Sequence, residues 1–230
     1  MDGIGERLTA LRARIDCACL AAGGLAGTVE MVAISKFQSP KLIREAVLAG
    51  QHSFGENYAQ EMAVKKAVLS DIVDISWHFT GHLQTNKAKS VVGQCILIQS
   101  VDSAAIAGKI AGIAKNIGIV QDVLIEVNID DEAAKSGVEI AATDNLCQRV
   151  LHLDGIRLQG LMAMAPGSAR WTPGAARSSI ARLRKLFERL PAENRRILSM
   201  GMSGDFEDAI AEGATMVRIG SALFGPRKST

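Results

Sequence analysis

Lys36 is the side chain with the clearest capacity for covalent chemistry, because it directly follows the apolar stretch MVAIS at residues 31–35. This pattern predicts a buried strand over residues 30–35 with an amine at its carboxyl end, before the chain breaks at Ser39 and Pro40. Burial beside apolar neighbours disfavours the ammonium, lowers the pKa of a lysine and leaves a neutral amine that forms Schiff bases with carbonyls. The alternative is that Lys36 is simply the first polar residue after the strand, with its ammonium in water.

Glycine and serine occur together at two later points where a strand is expected to give way to a helix. The first pair is Ser203 and Gly204, and the second is Gly220 and Ser221. Free backbone N–H groups at such a point favour an anion, and the loops after the last two strands of an eight-stranded α/β barrel are a frequent phosphate site. Either pair alone is equally consistent with a helix cap, whereas the two pairs together favour a phosphate site.

Arg218 lies two residues before the second pair and could reach the same ligand. A lysine on the first strand, with a phosphate site after the last two, suggests pyridoxal 5′-phosphate bound as a Schiff base. An arginine beside the pyridine nitrogen donates to that nitrogen in its unprotonated form, which makes the cofactor a weak electron sink. The alternative is that Arg218 forms a buried salt bridge with Glu56 or Asp205.

The elements that must position these residues are eight short apolar stretches, each followed by helical sequence or by the terminal glycine-rich segment. The expected strands cover 30–35, 52–56, 75–80, 96–100, 123–128, 157–164, 196–200 and 216–219. The expected helices cover 4–20, 40–49, 57–70, 85–92, 103–117, 139–151, 173–190 and 204–212. Strands this apolar require cover on both faces. The sequence therefore predicts an α/β fold, a single closed (β/α)8 TIM barrel with an extra N-terminal helix.

One domain is expected over residues 1–230, because no shift in composition marks a linker. Residues 1–24 hold the extra helix, which should pack on the outside of the barrel. A doubly wound open sheet is the alternative, and the lack of a Gly-x-Gly-x-x-Gly turn after the first strand disfavours it. The basic pair Lys65 and Lys66 is expected on a solvated helix face, and Trp171 is expected to pack locally.

The composition restricts the classes of partner. The 26 basic and 24 acidic residues are scattered without a basic stripe, so nucleic acid is not an expected partner. No apolar run approaches the length of a membrane span, so no membrane contact is expected either. The four cysteines, Cys17, Cys19, Cys95 and Cys147, are too few and too unevenly spaced for a disulfide framework or a zinc site. A protein of the reducing cytoplasm without a bound metal is therefore expected.

Nine different motifs follow one another along nearly the whole chain. They are VAISK at 32–36, FGENYAQE at 54–61, WHFTGHLQTNK at 77–87, QSVDS at 99–103, VN at 127–128, KSG at 135–137, GLM at 160–162, LSMGMS at 198–203 and VRIGSALFG at 217–225. With these motifs the chain resembles the pyridoxal phosphate homeostasis protein family (YggS/PROSC-like). The segments that match weakly are residues 1–28 and 168–174.

The resemblance implies a barrel of fold-type III, like the amino-terminal domain of alanine racemases, with pyridoxal 5′-phosphate carried on Lys36. It implies that Asn57 lies beside the cofactor and that Arg218 faces the pyridine nitrogen. The residues it implies for the phosphate are Ser203, Gly204, Gly220 and Ser221. The segment from Gly81 to Lys87 is a mark of the family, and its role is left open.

The family likeness implies a protein that binds and buffers pyridoxal 5′-phosphate and hands it to apo-enzymes, without established turnover of its own. The alternatives are a weak amino-acid racemase, and a sugar-phosphate aldolase in which Lys36 attacks a ketose phosphate. A racemase requires a second base, but the single tyrosine, Tyr58, is interpreted as a packing residue, and His78 and His82 as histidines of the barrel rim. A monomer or weak dimer is expected.

Overall fold

The structure is a computed structural model that describes residues 3–130, 136–164 and 173–225. The expected packing of Trp171 and the motif residue Lys135 lie outside these residues. Strands and helices alternate along the described chain. The assignment of residues 1–230 to one domain stays a prediction.

Nine strands of the described residues form one sheet, and eight of them close into a barrel. The strands are β1 (Glu30–Ile34), β2 (Ser53–Glu56), β3 (Ser76–Phe79), β4 (Leu97–Val101), β5 (Gln121–Asn128), β6 (Val138–Glu139), β7 (Ile156–Met162), β8 (Ile197–Ser199) and β9 (Met216–Ile219). The two-residue β6 pairs with the end of β5, and the other strands form a parallel ring. Pairing of β4 with β5, in which Leu97 lies opposite Asp122, closes this ring. The predicted closed barrel is confirmed, and the open sheet is wrong.

Helices cover the outside of the barrel. They are α1 (Ile4–Ala21), α2 (Pro40–Leu48), α3 (Ala59–Val68), α4 (Ala104–Asn116), α5 (Ile140–Leu151), α6 (Pro173–Phe187), α7 (Phe206–Ala211) and α8 (Ser221–Phe224). The expected N-terminal helix is confirmed as α1, which packs against α2, α7 and α8. Its buried side chains, three or four residues apart, are Ile4, Leu8, Leu11, Ile15 and Cys19. No helix of the described residues combines the length and the apolar character that a membrane span requires.

The segment after β3 differs from the helix expected over 85–92. Thr85–Ser90 forms a 3-10 helix, a tighter winding that is used in short pieces. Thr85 and Asn86 are weak helix formers, and Ser90 Oγ donates to Lys87 O, three residues back, at 2.8 Å. The sequence pattern predicted a helical connection between β3 and β4, but not that this helix is of the 3-10 type.

The interior of the barrel changes from apolar to polar toward the carboxyl ends of the strands. Five strands each contribute one side chain to a buried apolar cluster, namely Val32, Leu97, Leu124, Met162 and Met216. Side chains two residues apart on a strand share a face. Ile197 of β8 packs against this cluster as well. The next positions on the interior face therefore include the buried Gln99, Glu126, Ser199 and Arg218.

Gly160 lies in a β-bulge of β7, because the adjacent Val123 and Leu124 of β5 stand opposite Leu158 and Gly160. Its φ is 150°, and a Cβ there would lie 1.9 Å from Ile197 O of the neighbouring β8. We expect Gly160→Ala to lower the free energy of unfolding by about 3 kcal/mol, since the clash is with backbone and the conformation disfavours a side chain. Urea denaturation followed by circular dichroism measures this change.

Gly108 of α4 offers a matched control, because a Cβ at this position would meet no atom within 4 Å. The same chemical change, Gly108→Ala, should raise the stability by about 0.5–1 kcal/mol, as expected for glycine in a helix interior. Equal effects of the two substitutions would contradict the close approach of β7 to β8.

Candidate functional site

A pocket of about 490 Å³ opens at the carboxyl ends of the barrel strands. This volume lies within the range of small-molecule sites. All seven residues that the sequence indicated line it: Lys36, Asn57, Ser203, Gly204, Arg218, Gly220 and Ser221. The lining also contains residues that the sequence did not indicate, namely Ile34, Gln38, Thr80, Met164, Met202 and Gly225. The structure thus brings the seven together, while their roles toward a ligand stay predictions.

Lys36 lies two residues after the end of β1, at a point where the chain turns sharply. Ser35 N donates to Gly55 O of β2 at 3.0 Å, and Gln38 N donates to Ser35 O at 2.9 Å. Phe37, which lies between Ser35 and Gln38 in this turn, has a φ of 64°. A positive φ is uncommon for a residue with a side chain. The turn is fixed from outside, because Phe37 N donates to Glu61 Oε1 of α3 at 2.6 Å.

Lys65 is buried beneath this turn. Its Nζ donates to Ser35 O and Glu56 Oε1 at 2.6 Å and to Glu61 Oε1 at 2.7 Å. Ser35 Oγ donates to the same Glu56 oxygen at 2.6 Å. The expectation that Lys65 lies on a solvated face is wrong, since three acceptors from β1, β2 and α3 converge on it and leave it 3% exposed. Burial raises the pKa of Glu56, against the hydrogen bonds from Lys65 and Ser35.

Arg218 is buried in β9, with 5% of its surface exposed. Its Nη1 donates to Ser199 Oγ at 2.7 Å and its Nη2 to Ala163 O at 2.8 Å. Burial lowers the pKa of Arg218 to about 10, and the charges of Glu126 and Asp205 oppose this shift. The guanidinium therefore stays positive at neutral pH. It forms hydrogen bonds with neutral groups in place of the salt bridge to Glu56 or Asp205 that was the alternative.

The loops after β8 and β9 supply unused backbone donors to the pocket. Ser203 Oγ accepts a hydrogen bond from Ala222 N at 3.3 Å, which ties the two loops together. The backbone N–H groups of Ser203, Gly204 and Ser221 donate to no other described residue. Helix α7 begins at Phe206, later than expected, and α8 is only four residues long. Loop amides, more than helix dipoles, are therefore the groups available to an anion at this pocket.

Asn57 is held from the neighbouring strand. Thr80 Oγ1 donates to Asn57 Oδ1 at 2.9 Å. A Cβ on Gly81 would lie 2.2 Å from Asn57 O, so only glycine allows the loop after β3 to approach this closely. The segment from Gly81 to Lys87, whose role the sequence left open, thus has a structural role beside the pocket at its first residue.

Two of the candidate acid–base groups lie outside the pocket. Tyr58 is 50% exposed, and its ring centroid lies 5.4 Å from that of Phe37. The ring of His82 is half exposed, and its Nδ1 lies 3.1 Å from Asp102 Oδ2. His78 was interpreted as a rim residue, which is wrong, because it is buried inside the barrel and burial lowers its pKa.

Glu126 is a buried carboxyl that the sequence interpretation missed. Its Oε2 has no hydrogen-bond partner among the described residues. Burial raises its pKa to about 7, the charge of Asp102 raises it further, and the charge of Arg218 opposes the shift. Its position two residues after Leu124 in an apolar strand was the available signal that it faces the interior.

Comparison with known proteins agrees with this geometry. The family described as alanine racemase, N-terminal domain, matches residues 7–228. A pyridoxal phosphate homeostasis protein of Aquifex aeolicus is 42% identical over 97% of this chain and 98% of its own length. Another, from Pseudomonas aeruginosa, is 40% identical over 99% of this chain and 97% of its own length. The structure of PipY from Synechococcus elongatus, solved with PLP bound, matches with a TM-score of 0.84 and 36% identity, over 97% of this chain and 100% of that chain.

The parallel barrel, with a lysine and a set of loop amides at its carboxyl end, is that of the alanine racemase N-terminal domain class. Within this class, the chain belongs to the family of pyridoxal phosphate homeostasis proteins. The resemblance noted in the motifs is thereby confirmed.

The buried ammonium of Lys65 can be tested by its removal. We expect Lys65→Met to lower the free energy of unfolding by about 3–5 kcal/mol, because Glu56 and Glu61 then lose the partner of a buried ionic contact. Chemical denaturation at pH 7 measures this loss. Lys66→Met is the control one residue away, and its effect should stay below about 1 kcal/mol. Equal losses in the two variants would show that the burial of Lys65 is unimportant.

The raised pKa of Glu126 predicts a pH dependence of stability. Its ordinary value is 4.5 and its folded value about 7, so the folded protein holds this proton more tightly than the unfolded chain. The stability from the protonated carboxyl is present below pH 4.5 and is lost as pH rises to about 7. Relative to the wild type, Glu126→Gln should therefore gain about 3 kcal/mol across this range.

Urea denaturation of both proteins at several pH values between 4 and 8 measures this difference. All other titrating groups are common to the two proteins, so they largely cancel in the comparison. A difference that stays constant with pH would show that Glu126 has an ordinary pKa.

Proposed function

We propose that this chain binds pyridoxal 5′-phosphate as a Schiff base on Lys36 and serves its intracellular homeostasis, without established turnover of its own. The observation that carries the proposal is one pocket lined by Lys36, Arg218 and the unused amides of Ser203, Gly204 and Ser221. The names of its relatives and the PLP-bound structure of PipY support it. The protein is proposed to be a cytoplasmic monomer or weak dimer that passes the cofactor to apo-enzymes.

The residues present fit this cofactor. When bound, it supplies an aldehyde that reacts with amines and a pyridine ring that withdraws electrons. Lys36 provides the amine on a fixed turn, and the loop amides with the hydroxyls of Ser203 and Ser221 provide donors for a phosphate dianion. Asn57, whose Oδ1 already accepts from Thr80, retains its Nδ2 as a donor to the cofactor.

Arg218 determines what chemistry the site favours. A guanidinium has donors and no acceptor, so a pyridine nitrogen facing it must remain an unprotonated acceptor. An unprotonated ring withdraws electrons weakly, which disfavours removal of an α-proton from an amino acid. The position of Tyr58 points the same way, because the second base that a racemase requires is absent from the pocket lining among the described residues. Binding and transfer are therefore favoured over racemisation.

The first test is covalent trapping of the cofactor. Purified protein incubated with pyridoxal 5′-phosphate should show a visible absorbance band that borohydride removes, and mass spectrometry should locate the reduced cofactor on Lys36. Lys36→Ala should lose both signals, since it lacks the amine. Lys41→Ala, which removes a lysine from the exposed start of α2, should retain both.

The opposite results have defined meanings. A colourless wild type that traps no cofactor would overturn the proposal and return the pocket to another phosphate ligand, such as a ketose phosphate. Exchange of the α-proton of amino acids in deuterated solvent, lost in Tyr58→Phe, would instead support the racemase.

A further inference from the structure

A line of buried polar side chains runs through the barrel beneath Arg218. Ser199 Oγ, which accepts from Arg218 Nη1, donates to Gln99 Oε1 at 2.7 Å. Gln99 Nε2 contacts His78 Nδ1 at 3.1 Å and Met216 Sδ at 3.3 Å. The residues come from four strands, β9, β8, β4 and β3. Ser199, Gln99 and His78 belong to motifs of the family, but the proposed function gives these three residues no role.

The donors and acceptors of this line can be assigned in order from one end. Arg218 has donors only, so Ser199 must accept from it, and the single hydroxyl proton of Ser199 goes to Gln99 Oε1. The Gln99 amide then presents its two hydrogens to Met216 Sδ and His78 Nδ1. His78 Nδ1 must therefore be an unprotonated acceptor, and the proton of a neutral His78 is on Nε2.

The far end of the line is consistent with this assignment. His78 Nε2 lies 3.6 Å from Glu30 Oε1, whose negative charge stabilises an N–H at that distance. Burial lowers the pKa of His78, which agrees with a neutral ring. Glu30 is itself held by a hydrogen bond from Ser53 Oγ at 2.6 Å.

We propose that Ser199, Gln99 and His78 are positioning residues for Arg218, which fix the direction in which its guanidinium donates into the pocket. Nη1 and Nη2 each use one of their two N–H groups on Ser199 or Ala163. Because the guanidinium is planar, these two contacts fix the directions of its remaining N–H groups. This positioning role rests on the proposed function in one respect, namely that the group facing Arg218 is a pyridine ring. The donor order itself is independent of any ligand.

The donor order is tested first in cofactor-free full-length protein by ¹⁵N NMR of its histidines. The chain has four histidines, and His52→Gln, His82→Gln and His152→Gln assign His78 by elimination. We expect wild-type His78 to be neutral with its proton on Nε2. Ser199→Ala removes the donor to Gln99 Oε1, so the amide can rotate and a population of His78 with its proton on Nδ1 should appear. A wild-type His78 with its proton on Nδ1 would overturn the donor order.

The effect on Arg218 is tested in protein loaded with pyridoxal 5′-phosphate. Ser199→Ala should shift the absorbance maximum of the bound cofactor and weaken its binding about tenfold, the usual effect of one lost hydrogen bond to a charged group. Ser199→Thr, which keeps the hydroxyl, should restore the wild-type maximum. Gln99→Met, of similar length but without the amide, should reproduce the shift of Ser199→Ala.

These measurements separate the two proposals. If the wild type binds no cofactor, the proposed function fails, and the histidine NMR still decides the donor order. If the wild type binds cofactor and Ser199→Ala and Gln99→Met leave the absorbance maximum and affinity unchanged, the positioning role is overturned while the proposed function stands. A shift in Ser199→Ala that Ser199→Thr does not restore also contradicts a role for the hydroxyl.

Discussion

The geometry of Lys36 depends on the buried ammonium of Lys65. This one group binds the carbonyl of Ser35, on the amino side of Lys36, and the carboxylate of Glu61, which holds Phe37 on the other side. A lysine side chain has large rotamer entropy, so its amine has a defined position only where its backbone is fixed. Three elements meet at Lys65, the ends of β1 and β2 and the helix α3. The turn that carries Lys36 is therefore anchored to three elements of the barrel.

The site depends, second, on the change from apolar to polar side chains along the interior of the barrel. The apolar cluster around Leu97 and Leu124 lies next to buried polar groups, which are shielded from water. Desolvation disfavours the charge of both Arg218 and Glu126, and each partly stabilises the other. Desolvation therefore moves their pKa values toward each other, to about 10 for Arg218 and about 7 for Glu126. Only the arginine remains charged on both sides of neutral pH.

Sequence patterns could predict the barrel and most of the pocket, because both follow from local features, whereas Asn57 was indicated by the family resemblance. Apolar stretches identify strands, and residues at strand ends meet at one face of a parallel barrel. The burial of Lys65 and His78 could not be predicted in this way, since it depends on contacts with other strands, such as that of Lys65 with Ser35 O and that of His78 with Gln99. Lys65 does lie three residues after the buried Met62 and four before the buried Leu69, a helical spacing that indicated an inward face. Its charge nevertheless favoured the opposite interpretation.

The direction of the hydrogen bonds around Arg218 bears on the proposed storage of a cofactor. Exchange of one amine for another at an aldehyde requires a nearby lysine and a fixed phosphate, but no strong electron sink. Racemisation additionally requires a ring that accepts electron density and a base on each face. A donor-only guanidinium, whose Ser199 and Ala163 contacts already fix its orientation, opposes the first of these two requirements. The proposed transfer thus needs only what the described pocket contains, whereas a racemase would need groups that its described lining lacks.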